Sequence, residues 1–78
     1  MNNAEQTRNL RFRSICHYWG KVTGAVAQHE PPKKNIVEQV EYVKNVYRQA
    51  EKVRSANYKM KELLNACESF IRAYNEYP

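Results

Sequence analysis

The stretch ICHYWGKVTG, residues 15–24, gathers most of the side chains in this sequence that could do chemistry. Cys16 stands next to His17, Tyr18 next to the single tryptophan, Trp19, and Gly20 and Gly24 follow at helical spacing. A nucleophilic cysteine needs an imidazole within hydrogen-bond reach of its sulfur. Adjacent helical residues point about 100° apart, so Cys16 and His17 cannot supply that to each other. His29 lies too far along the chain, and the nearby acids Glu5 and Glu30 stand at no spacing that would orient an imidazole. Cys16 therefore reads as a small buried hydrophobe beside Ile15.

Cys16, His17, His29 and Cys67 together are donors enough for zinc. Structural zinc sites use closely spaced ligand pairs, which limit the entropy lost on closing the site, and no such pair occurs. The sequence points to no catalytic residue, no metal ligand and no cofactor. The two glycines would open one helix face to a second helix or mark a kink, at about 1 kcal/mol of helix propensity each.

Charge and aromatic content offer more. Lys44, Arg48 and Lys52 recur at every fourth position and form a basic ridge, moderated by Glu38, Glu41 and Glu51. Arg8 and Arg11 make a smaller basic step, and Lys33 and Lys34 follow a proline pair. Such groups neutralise phosphates in nucleic-acid binders. No helix-turn-helix, RNP-type, KH or zinc-finger pattern accompanies them, and a charge ridge is commonly a solvated helix face. Six tyrosines are many for a chain of 78 residues. Tyrosine joins apolar area to a polar tip and is favoured at interfaces. Tyr18, Trp19, Tyr42, Tyr47 and Tyr58 are the candidate contact residues, with Lys44, Arg48 and Lys52 steering encounter.

The elements that must carry these residues are helical. Phe12, Ile15, Trp19, Val22 and Val26 recur at threes and fours, as do Ile36, Val40, Val43, Tyr47 and Ala50, and then Met60, Leu63, Cys67, Phe70, Tyr74 and Tyr77. Each set makes one stripe of an amphipathic helix. The expected organisation is a single all-α domain over residues 1–78. A first helix covers about 4–28, prolines break the chain at 30–33, and helix resumes over 34–76 with a joint at 55–57. Ser55 or Asn57 would cap a third helix there, giving a three-helix bundle. The alternative is one unbroken helix of about 65 Å. Its seam would include Asn57, Met60, Leu64, Cys67, Ile71 and Tyr74, with Asn57 fixing register between subunits.

A chain this short buries only about 60% of its unfolded surface. Two cysteines make no disulfide scaffold, so homo-oligomerisation through heptad-like seams is the expected supplement. The N-terminus has no apolar signal segment and no run spans a membrane, which suggests the cytoplasm. The formal net charge of +5 suits nucleic acid or an acidic protein. The expectation is a non-enzymatic, regulatory, antirepressor- or inhibitor-like helical protein that self-associates and occludes a protein partner. The alternative is a small basic nucleic-acid-binding protein using Arg8, Arg11, Lys33, Lys34, Lys44, Arg48 and Lys52.

Overall fold

The computed structural model describes residues 3–24, 35–53 and 58–75. Among them are three helices: α1 (Asn3–Thr23), α2 (Ile36–Val53) and α3 (Tyr58–Tyr74). The domain is a small all-α bundle.

Each boundary has a local cause. Gly24 ends α1 by taking φ 75°, the left-handed conformation that closes many helices and that only glycine adopts without strain. The Thr23 hydroxyl donates back to the Trp19 carbonyl at 2.9 Å. The expected continuation to residue 28 lies outside the described residues. The second glycine of the pair is a terminator rather than a contact point, since a Cβ placed there would meet nothing within 4 Å. Asn35 caps α2: its side-chain oxygen accepts the Glu38 N–H at 2.8 Å. This is the Asn-x-x-Glu signature of a helix start, present in the sequence at Asn35–Glu38 but not used in reading it.

Helix directions follow from the contacts between helices. Arg8 reaches Gln39, and Phe12 packs edge-on against Tyr42 with ring centroids 5.4 Å apart, so α1 and α2 run the same way. Phe12 also meets Phe70 at 6.2 Å, and Tyr47 hydrogen-bonds Glu68, so α3 runs back against both. α2 and α3 are thus two helices that run opposite ways and not one long helix. Asn57 and the joint at 55–57 lie outside the described residues.

The core is where the three stripes meet: Phe12 and Ile15 from α1, Val40, Val43, Val46 and Ala50 from α2, and Met60, Leu63, Cys67 and Phe70 from α3. Burying each of the larger of these side chains is worth about 1.5–3 kcal/mol. Phe70 packs at a tilt against Tyr74, with ring centroids 4.7 Å apart, as well as against Phe12. Met60 and Cys67, expected in a seam between subunits, are buried inside this one chain, and Leu64, Ile71 and Tyr74 pack half-buried around the same core. A seam built on Met60 and Cys67 would have to displace the chain's own core.

One core position is polar. Gln39 is 1% exposed. Its Oε1 accepts from Arg8 Nε at 2.8 Å, and its Nε2 donates to Asn9 Oδ1 at 2.9 Å. A buried amide is tolerated when its groups are paired, and this pairing fixes how α1 sits along α2.

Candidate functional site

The opening cluster of the sequence is taken apart by the fold. Cys16 is half-buried and His17 is exposed. The sulfur keeps company with Tyr42 and lies within electrostatic reach of Cys67. Burial pushes the Cys67 thiol up to about 12, with Cys16 adding to the effect. A thiol held so firmly protonated is a poor nucleophile and a poor metal ligand near neutral pH. Burial first, then the neighbouring Cys16, raises Tyr42 to about 12. Among the described residues no group of three or more His, Cys, Asp and Glu side chains is placed to hold a metal ion. His29 lies outside the described residues.

The candidate contact tyrosines divide in the same way. Tyr18, Trp19, Tyr42 and Tyr47 all pack against the core. Tyr42 lies edge-on to Phe12. The Tyr47 hydroxyl donates to Glu68 Oε2 at 2.9 Å, and this bond is the main reason its ionisation moves up to about 12. Tyr58 alone of the five does not pack against the core, and it is 72% exposed.

The basic residues split between the two ends of the bundle. Arg8 turns inward to Gln39. Arg11 is exposed partway along α1, and Lys44 is half-buried with Glu41 4.0 Å away, a weak contact. Arg48 and Lys52 are exposed on the last two turns of α2. Lys33 and Lys34 lie outside the described residues. Helix directions then add what chain order hides. The last turns of α1 and α2 and the first turn of α3 lie at one end of the bundle, so Lys21, Lys59 and Lys61, all exposed, join Arg48 and Lys52 there. The acids at that end are Glu51 and Glu62. Val53, 59% exposed, and Tyr58 flank the joint between α2 and α3 at the same end.

Lys21 and Lys52 have a structural explanation, because cations in a last turn offset the negative pole of a helix. Lys61 has no such explanation. It stands at the start of α3, where acids are favoured, and α3 has no acid in its first turn, whereas α1 has Glu5 and α2 has Glu38. That anomaly was visible in the sequence once a helix start near Tyr58 was granted.

Elsewhere a shallow depression of about 450 Å³ runs along α2, lined by Val37, Glu38, Glu41, Tyr42, Asn45 and Arg48. Its two carboxylates make it unsuited to an anion. No helix among the described residues is long and apolar enough to cross a membrane. No family model, curated protein or solved structure matches the chain.

Proposed function

We propose that this protein is a non-enzymatic helical module that binds nucleic acid through the basic end of its bundle. The observation that carries this reading is the gathering of Arg48, Lys52, Lys59 and Lys61 at one end, from parts of two helices, with Lys21 added by a third. Lys61, placed against the polarity of α3, weakens the helix slightly unless an anion meets it. A phosphate backbone is the polyanion that several separately mounted lysines and an arginine fit, and each neutralised phosphate releases a counterion. The test is fluorescence anisotropy with labelled oligonucleotides at rising salt. Binding should weaken steeply as salt rises, and K52E/K61E should lose at least tenfold in affinity while keeping its helical circular dichroism. Salt-independent binding, or none near 50 mM salt, would overturn the reading.

A second reading keeps the protein partner and self-association. It draws on Leu10 and Val37, which are 62% and 60% exposed and lie away from the basic end on α1 and α2. It predicts a dimer by light scattering in reducing buffer, and a mass shift to monomer in L10S/V37S. A monomeric wild type would remove self-association from this reading.

A further inference from the structure

Tyr58 is the first residue of α3, and it projects from the end of the bundle instead of packing on the core. An exposed tyrosine alone means little. This one begins the same helix as Lys59 and Lys61, at the end of the bundle where α2 finishes with Lys52 and Val53 exposed. In contrast, Tyr18, Tyr42, Tyr47 and Tyr74 all pack against the core. An aromatic face offered beside cations is the combination that holds single-stranded nucleic acid: bases stack on the ring while the cations track the phosphates. A duplex keeps its bases stacked inside and gives such a ring nothing to hold.

We propose that the basic end of the bundle takes single-stranded nucleic acid, with Tyr58 stacking on a base and Lys52 and Lys61 on the flanking phosphates. This rests on the nucleic-acid reading above and narrows it to one substrate class. Stacking has little sequence preference, because every base has a π-face. The site therefore selects strandedness rather than sequence, and the protein covers whatever single strand it meets.

The experiment is anisotropy at low salt with a labelled oligothymidylate of about 16 nucleotides, and with a labelled duplex of the same length. Wild type, Tyr58→Ala and Tyr58→Trp are compared after circular dichroism shows that all three are folded. The expected result is tighter binding of the single strand. Tyr58→Ala should lose roughly tenfold on the single strand and little on the duplex, and Tyr58→Trp should restore or improve binding. Equal binding of both forms, with Tyr58→Ala neutral, would overturn the stacking proposal and leave the nucleic-acid reading standing. Equal competition by polyglutamate would overturn it too, by showing a site that measures charge alone. Absence of binding to either form would overturn both.

Discussion

Basic side chains stand in opposite states in two regions of this bundle. At one end Arg8, Asn9 and Gln39 are joined to each other, and Gln39 is fully buried. At the other end Arg48, Lys52, Lys61 and Tyr58 face solvent. Basic and aromatic residues in a sequence are therefore no guide to a surface until the fold shows which of them the core has used. The first end is built for register, and the second is left for something outside the chain.

The comparison breaks most visibly where the interior is cut. Phe70→Ala removes the ring that Phe12 and Tyr74 both pack on. It should cost about 3–5 kcal/mol, enough to unfold much of a domain this small, and urea denaturation followed by circular dichroism reads the loss. Gln39→Ala leaves Arg8 and Asn9 without their buried partner and should cost about 2 kcal/mol. At the opposite end, Lys61→Gln should change stability by no more than about 0.5 kcal/mol. Similar costs at the two positions would erase the distinction drawn between the ends. Gly24→Ala places a side chain on a left-handed residue with open space around it. The strain is conformational only, and a loss of about 1 kcal/mol is expected. Asn35→Ala, which removes the α2 cap, should cost about the same.

The smallest effect concerns the shape of the pH profile. Folding raises Cys67 from 9.0, and Tyr42 and Tyr47 from 10.0, each to about 12. The folded state keeps protons that the unfolded chain releases, so stability is complete below about pH 9 and falls as pH climbs toward 12. Cys67→Ala should move the onset of that fall upward by about one pH unit, to where the tyrosines begin to release. The midpoint of urea unfolding measured from pH 8 upward reads the shift, and an unmoved onset would mean that Cys67 is not held protonated.

Much of the fold was legible because periodicity reports burial directly. Phe12, Ile15, Val40, Val43, Ala50, Met60, Leu63, Cys67 and Phe70 all stand on the expected stripes and all are buried. Gln39 was not legible, since a buried amide has no signature apart from the partners that satisfy it, and those lie on another helix. The division into α2 and α3 was also ambiguous, because the heptad register of Val46, Ala50, Met60 and Cys67 runs from one helix to the other without a break. The same positions serve a seam between two chains or a core within one, and only tertiary packing chooses. The candidate site was half legible. Arg48 and Lys52 show as a ridge, whereas Lys21, Lys59 and Lys61 join them only through the direction in which each helix runs.

That α1 and α2 run the same way has a consequence for the order of folding. Phe12 of α1 meets Tyr42 in α2 and Phe70 in α3, both far from it in sequence. The contacts between α2 and α3 span fewer residues, and local contacts form sooner. α2 and α3 are therefore expected to close on each other first, with Phe12, Ile15 and Trp19 open to solvent until α1 docks.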